Sequence, residues 1–226
     1  MRYDSQAPGM KAFSTHMEGM MRIHRMLFTV AWSLVLTSAV FGQKEESPKP
    51  LTLPASTPMI SPADLASKVP SAKPSDVRSP DAIIAAIYDV ISGPAGGRDW
   101  DRFRSLCLPQ ARFTQATKSP ERGTVIIAWG VEEFIRDVGE IFTKEAFYEN
   151  GIVNVPDGFG KMRQVLSSYE SRHNPGEKPF QRGVNSFQLL QDGQRWWIVS
   201  VLWDAESKDT PLPRRLTAPA KDKNKK

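Results

Sequence analysis

The stretch Gln194–Asp204, "QRWWIVSVLWD", decides the fold, because it places three tryptophans in one short apolar run. Strands that expose one face alternate apolar with polar residues, whereas this run is apolar at almost every position. Strict alternation predicts one face with Trp197, Val199, Val201 and Trp203, and the other with Trp196, Ile198, Ser200 and Leu202. Both faces of this strand therefore require cover.

Apolar stripes at helical spacing predict three helices upstream. "SPDAIIAAIYDVISG" starts with Ser79 as N-cap and Pro80 in the first turn. Asp99 caps a shorter helix that we expect Pro109 to end, and "GVEEFIRDVGEIFTKEAFYENG" predicts a long third helix whose stripe extends to Phe147.

The remaining segments predict strands. "ARFTQATK" and "GTVIIAW" lie between the second and third helices. "GIVNV", "KMRQVLSSYESRH", "FQRGVNSFQLL" and "QRWWIVSVLWD" follow as a meander. Asn-Pro-Gly and Asp-Gly turns join the last three strands. The order predicts an α+β domain, a bent antiparallel sheet packed on one face by three helices.

Three helices can cover only one face of the final strand. Since soluble monomers rarely keep a large exposed apolar patch, we expect a homodimer that packs sheet face against sheet face. The alternative is a monomer in which the linker or the tail folds back over the sheet.

This arrangement resembles the nuclear transport factor 2-like superfamily, which includes SnoaL-like cyclases, ketosteroid isomerases and scytalone dehydratase. The resemblance covers about residues 79–206. It rests on "IIAAIYDVISG" with "RDWDRFRSLCLPQARF", on "GVEEFIRDVGEIF", on "KMRQVLSSYESR" and on "GVNSFQLLQDGQRWWIVSVLW". It implies a cone-shaped fold with a cavity that often holds an apolar ligand, and frequent dimerisation. It does not imply one activity, because this fold hosts enzymes, carriers and adaptors.

The resemblance also allows the catalytic positions to be checked. Tyr88 matches the isomerases' donor tyrosine, but Gln115 stands where their carboxylate base would be, and Asn185 where their second acid would be. His173, the only histidine available for a scytalone-type base, is expected at an exposed loop tip. We therefore expect no catalytic residue of either standard kind. An enzyme with other carboxylates, such as Glu170 or Asp89, remains an alternative.

Seven side chains are predicted to surround the cavity and to form a neutral aromatic cage with amide and hydroxyl donors for a small apolar ligand. They are Tyr88, Gln115, Trp129, Gln164, Tyr169, Asn185 and Trp203. The alternative is that the same residues only pack the core.

Charge and cysteine content limit the partners. The formal net charge is +5, but Lys and Arg cluster in the tail and leave no basic stripe on the domain, so we expect no nucleic-acid partner. The single cysteine, Cys107, is expected to be buried, and the few histidines argue against a metal site. No cofactor is expected.

The N-terminal part predicts export. Residues 21–42 form a secretory signal peptide with Arg22 and Arg25 before an apolar run, and cleavage is expected after Gly42, with a second site after Ala39. If the segment is not cleaved, it would anchor the chain in a membrane. Residues 1–20 resemble an over-called extension, which makes Met20 or Met21 the start.

The remaining boundaries follow from composition. Residues 43–78 form a proline-rich disordered linker, 79–206 the domain, and 207–226 a basic disordered tail. We expect a secreted or periplasmic domain that binds a small apolar ligand or a partner. The alternatives are the enzyme above and an envelope-associated interaction module.

Overall fold

The computed structural model describes residues 52–217 of the chain. The expected extension 1–20, the expected signal peptide 21–42 and the end of the expected tail from 218 onward lie outside the described residues. Between residues 52 and 217, no helix has the length and apolar character that crossing a membrane would require.

The order of elements matches the order that the sequence predicts. The helices are α1 Pro62–Ala66, α2 Pro74–Val77, α3 Pro80–Ile91, α4 Trp100–Leu106 and α5 Val131–Lys144. The strands are β1 Cys107–Ser119, β2 Gly123–Trp129, β3 Tyr148–Phe159, β4 Met162–Arg172, β5 Gln181–Gln191 and β6 Trp196–Ala205, and a 3-10 helix spans Arg214–Leu216.

The predicted caps of the first two main helices are confirmed. The backbone N–H of Ala82 donates to the Ser79 hydroxyl at 3.1 Å, and that of Arg102 donates to Asp99 Oδ1 at 2.9 Å. Two helix ends differ from the prediction. Helix α4 gives way to β1 at Cys107, before Pro109. Helix α5 ends at Lys144, because Phe147 exchanges backbone hydrogen bonds with Gly93.

All six strands form one sheet in the order β2-β1-β6-β5-β4-β3. The expectation of a wholly antiparallel sheet is wrong for one pair, since β1 and β6 run parallel. The last strand of the meander pairs with β1 in the middle of the sheet. The long intervening chain allows the crossover that a parallel pair requires.

The helices cover one side of this sheet, which is called the inner face here. Its core includes Ile83, Phe103, Phe113, Phe187 and Ile198, each at most 3% exposed. Stacked and tilted rings of Phe103, Phe113 and Phe134, with centroids 4.8–5.3 Å apart, join α4, β1 and α5. The opposite side is called the outer face.

A β-bulge in β6 changes which side chains meet the helices. Leu189 pairs with Ile198, but the residue before it in β5, Gln188, pairs with Ser200. Val199 is therefore the extra residue. The strict alternation predicted for this strand is therefore wrong, because a bulge inverts the alternation beyond it. Trp196, Ile198, Val201 and Trp203 lie on the inner face, as their packing against the core shows.

Trp197 points to the outer face and is nevertheless fully buried. Its indole Nε1 donates to Asp192 Oδ2 at 2.7 Å, and the guanidinium of Arg195 lies 3.7 Å from its ring centroid. Neighbouring side chains thus cover this tryptophan. Leu202, also on the outer face, is 53% exposed, and the sheet-face dimer stays a prediction.

The folded part extends beyond both predicted boundaries. In the expected linker, prolines begin two short helices rather than extended chain, since proline fits the first helical turn. In the expected disordered tail, the 3-10 helix contacts β3 and Leu216 is buried. Apolar residues in both flanks are buried, and Val77 packs in the core. Parts of the segments 52–78 and 207–217 are therefore folded against the domain, whereas the sequence predicted that both segments are disordered.

Candidate functional site

A groove of about 540 Å³ lies between helix α3 and strand β3. Its walls are Asp81, Ile84, Ala85, Tyr88 and Asp89 of α3, then Ser92, and residues 148–154 of β3. The groove is open to solvent along the edge of the sheet, because β3 is the last strand of that sheet.

A connected hydrogen-bond network forms the inner end of the groove. The Tyr88 hydroxyl donates to Ser167 Oγ at 2.7 Å, and Asn185 Nδ2 donates to the Tyr88 oxygen at 3.1 Å. Asn185 Nδ2 also lies 3.1 Å from Glu149 Oε1, and the Ser171 hydroxyl donates to Glu149 Oε2 at 2.9 Å. Both carboxylate oxygens of Glu149 therefore accept hydrogen bonds from neutral donors.

Sheet register explains why these polar groups meet. Ser167 of β4 lies opposite Asn185 of β5, and Glu149 of β3 lies opposite Ser171 of β4. All four are on the inner face, where α3 places Tyr88 above them. This set, Tyr88, Glu149, Ser167, Ser171 and Asn185, is called the Tyr88–Glu149 network below.

Gly151 allows Tyr88 to approach β3. A Cβ on Gly151 would lie only 3.1 Å from Tyr88 Cε2, which is tighter than ordinary contact. A register shift between Gly151 and Val153 bends the strand at this point. Tyr88 is also fixed from the other side by an edge-to-face contact with Phe187, with centroids 6.0 Å apart. The ring is therefore held in one position.

Burial controls the ionisation of the network. It raises the pKa of Glu149 to about 7, and the hydrogen bonds from Ser171 and Asn185 offset only part of that effect. Burial and the neighbouring Glu149 charge raise the pKa of Tyr88 well above its usual range. Near neutral pH, Tyr88 thus stays protonated, while Glu149 has both its acid and its carboxylate form populated.

The other carboxylates named from the sequence are engaged in ion pairs. Asp89 Oδ2 accepts from Arg102 Nη1 at 2.5 Å. Glu170 pairs with Arg172 and lies 3.5 Å from Arg182 Nε. Among the ion pairs found within residues 52–217, none includes Glu149. Of the other two carboxyl groups that line the groove, Asp89 is ion-paired and Asp81 accepts from Asn154 Nδ2 at 2.9 Å, so Glu149 is the one whose pKa burial raises.

Three of the seven predicted cavity residues come together at the Tyr88–Glu149 network. Tyr88 and Asn185 belong to the network, and Tyr169 is 2% exposed on the inner face beside it. The Tyr169 hydroxyl lies over Gly183, where a Cβ would be 2.6 Å from it. Of these three, Tyr88 lines the groove itself.

Three more predicted residues lie on the inner face, farther along the sheet. Trp203 stands opposite Asn185 on one side and opposite Gln115 on the other. The ring of Trp129 stacks on Trp203, with centroids 5.8 Å apart and planes within 6°. These three residues continue the same row across the sheet but do not line the groove.

The prediction for Gln164 is wrong. Val165 lies in the core, so its neighbour Gln164 points to the outer face, where Nε2 donates to Ser186 Oγ at 3.3 Å. Gln164 and Tyr169 are five positions apart in a strand whose pairing with β5 is continuous, and side chains an odd number of positions apart point to opposite faces.

Glu149 is the important residue that sequence reasoning missed. The long helix was expected to run through "FYENG", which placed Glu149 near a helix end rather than in a strand. The usable signal was polar residues at every second position of "SSYES" in β4, because a buried serine row requires polar partners on the next strand.

Two further sequence expectations concern Cys107 and His173. Cys107 is completely buried, as expected, and burial raises the pKa of its thiol. His173 is exposed, as expected, and stacks on Phe180 with ring centroids 4.4 Å apart.

Across residues 52–217, no group of three His, Cys, Asp or Glu side chains is arranged to hold a metal ion.

Comparison with known proteins finds structural similarity only. No family model and no curated protein sequence matches the chain. A cystatin-like protein of unknown function from Nostoc punctiforme matches with 8% identity and a TM-score of 0.44, over 56% of this chain and 87% of that one.

Two other solved structures match in the same way. A nuclear transport factor 2-like superfamily protein from Salmonella enterica serovar Typhimurium has 17% identity and a TM-score of 0.41, over 55% of this chain and 87% of its own. LinA has 13% identity and a TM-score of 0.40, over 61% and 89%. Such low identities concern the fold alone. The curled six-stranded sheet and its helices confirm the α+β fold expected from the sequence.

Proposed function

Starting from a nuclear transport factor 2-like fold, we propose that this domain binds a small molecule in the groove between α3 and β3. The observation that carries the proposal is the Tyr88–Glu149 network at the inner end of a groove with partly apolar walls. Pockets for small molecules combine apolar walls with a few fixed polar groups in this way.

The two parts of the groove have different roles in this proposal. Ile84, Ala85 and Ile152 supply apolar surface for the body of the ligand. Glu149 and Tyr88 supply the polar contacts, and their positions are fixed by Ser167, Ser171 and Asn185 before any ligand arrives. Fixed polar groups lower the entropic cost of binding. The ligand expected from this arrangement is an apolar molecule with one hydrogen-bonding group.

The proposal is tested by native mass spectrometry of the purified protein, which detects a retained molecule as added mass. Ala85→Trp should fill the groove and abolish that added mass, because Ala85 is an exposed wall residue and its replacement leaves the core intact. Thr143→Trp, at an exposed position of α5 that does not line the groove, is the matched control. A retained molecule that survives Ala85→Trp would place binding elsewhere.

A second function, proton transfer catalysed by Glu149, is favoured by one observation. The pKa of this carboxyl is raised to about 7, and a general base works best with a pKa near the pH of the reaction. Tyr88, protonated at that pH, would turn its one proton from Ser167 Oγ to developing negative charge on a substrate oxygen. Gln115 cannot take this role, since an amide does not accept a proton under these conditions.

Deuterium exchange tests the catalytic function even while the natural substrate is unidentified. A panel of small enolisable ketones is incubated with the protein in D₂O, and incorporation at the carbon next to the carbonyl is followed by NMR. Catalysis requires exchange above the buffer rate that disappears in Glu149→Gln. This variant keeps the shape, and the Ser171 hydroxyl can rotate to accept from the new amide. Equal exchange with protein and buffer would exclude this function for the panel.

A further inference from the structure

Strand β2 forms one edge of the sheet and lacks the usual protection of an edge strand. Its residues, Gly123–Trp129, include no charged residue and no proline. Ile126 is 75% exposed and Ile127 is 36% exposed. Edge strands of soluble proteins normally carry charges, prolines or bulges, because their free backbone groups otherwise pair with another strand.

The opposite edge of the same sheet shows those protective features. Strand β3 contains Pro156, which has no N–H to donate, followed by the charged Asp157. It also has the register shift between Gly151 and Val153, which bends its edge. Within residues 52–217, this contrast indicates that the free edge of β2 is open for pairing, whereas that of β3 is protected.

The hairpin of β1 and β2 also extends beyond the rest of the sheet. Pairing of β1 with β6 ends at Gln115 and Trp203, while pairing of β1 with β2 continues to Ser119 and Gly123. The far half of the hairpin is therefore a two-stranded ribbon, and such a ribbon gains most from an additional strand.

We propose that β2 pairs with β2 of a second copy of this chain, antiparallel and centred near Ile126. A two-fold axis at this position sets Ile126 opposite Ile126 of the second copy on the outer face. On the inner face it sets Val125 of each copy opposite Ile127 of the other copy, so this pair occurs once on each side of the axis. Aliphatic cross-strand pairs of this kind stabilise sheets.

We choose a second copy of the chain over a strand from another protein because the sequence of β2 is complementary to itself. An uncharged strand meets no like charge when it pairs with itself, and its central apolar side chains, Val125, Ile126 and Ile127, fall opposite apolar side chains. Pairing would join two sheets into one of twelve strands, from the six in each copy. One seven-residue strand pair makes a small interface, so the dimer is weak and concentration-dependent.

Sedimentation velocity of the full chain over a concentration series tests the proposal. The wild type should shift from monomer to dimer with increasing concentration. Ile126→Lys should remain monomeric, because the two lysines would meet at the axis. Leu202→Lys, on the exposed outer face of β6, should dimerise like the wild type. A wild type that stays monomeric, or a dimer that Leu202→Lys abolishes, overturns the proposal.

Disulfide cross-linking gives a second readout that does not depend on a charged residue being tolerated. Residues opposite each other in an antiparallel pair have Cβ atoms about 4.5–5.5 Å apart, close to the spacing of a disulfide. Ile126→Cys should form a covalent dimer on mild oxidation, since the native Cys107 is buried. Leu202→Cys is the control. Cross-linking of Leu202→Cys but not of Ile126→Cys would place the contact on the sheet face and overturn the proposal.

Discussion

The hydroxyl oxygen of Tyr88 on helix α3 lies 3.1 Å from the amide nitrogen of Asn185 on strand β5, 97 positions later in the chain. Through Asn185 the tyrosine is connected to Glu149 on a third element. This connection joins the helix layer to the sheet at the inner end of the groove. The proposed function depends on it.

Tyr88→Phe tests the contribution of this network to stability. The change removes the hydroxyl and leaves the buried Ser167 without its donor, so the free energy of unfolding should fall by about 1–2 kcal/mol. Urea denaturation measures the loss. Tyr148→Phe, in a groove residue outside the network, should change the free energy by far less; equal effects would contradict the assignment.

The raised pKa of Glu149 predicts a pH dependence of stability. Because the folded state binds this proton more tightly than the unfolded state, the stabilisation is complete below pH 4.5 and is lost as pH rises through about 7. Relative to Glu149→Gln, the wild type should lose up to about 3 kcal/mol between these pH values. Urea denaturation at a series of pH values measures both proteins, and parallel curves would show that Glu149 titrates normally.

Gly183→Ala should destabilise the domain by about 1–3 kcal/mol through steric strain. An added Cβ would lie 2.6 Å from the Tyr169 hydroxyl and closer still to the backbone oxygen of Asp204. Gly97→Ala is the control, since no heavy atom lies within 4 Å of the position that its added methyl group would take. Chemical denaturation compares the two variants, and equal stabilities would mean that Tyr169 and the Asp204 backbone both move aside without cost.

Val77→Ala tests whether α2 belongs to the folded domain. Val77 is 5% exposed in the core, and Asp76 beside it accepts from Arg102 Nε at 2.8 Å. Truncation of such a residue should lower the free energy of unfolding by about 2 kcal/mol. Met59→Ala, at a position that is 83% exposed, should leave the free energy of unfolding unchanged. If Val77→Ala left the free energy of unfolding unchanged, that result would support a domain that starts after residue 78.

Export is tested by N-terminal sequencing of the protein recovered from culture medium or periplasm. We expect a chain that begins at Gln43, because Val40 and Gly42 suit the signal peptidase. A mature chain that keeps the apolar run of residues 26–41 would contradict cleavage and favour the membrane anchor.

The α+β class, the order of the main elements and the helix caps at Ser79 and Asp99 follow from local sequence. Caps and apolar periodicity depend on neighbours a few positions apart, and these survive in the sequence as readable patterns. Burial of Cys107 and exposure of His173 follow in the same way.

Tertiary structure alone decided which side chains share a face and which meet at the site. The bulge at Val199 turned part of β6 to the other face of the sheet. Glu149 meets Asn185 because strands distant in sequence pair in one particular register. Register arises from the balance of packing over the whole sheet, and no local pattern records it.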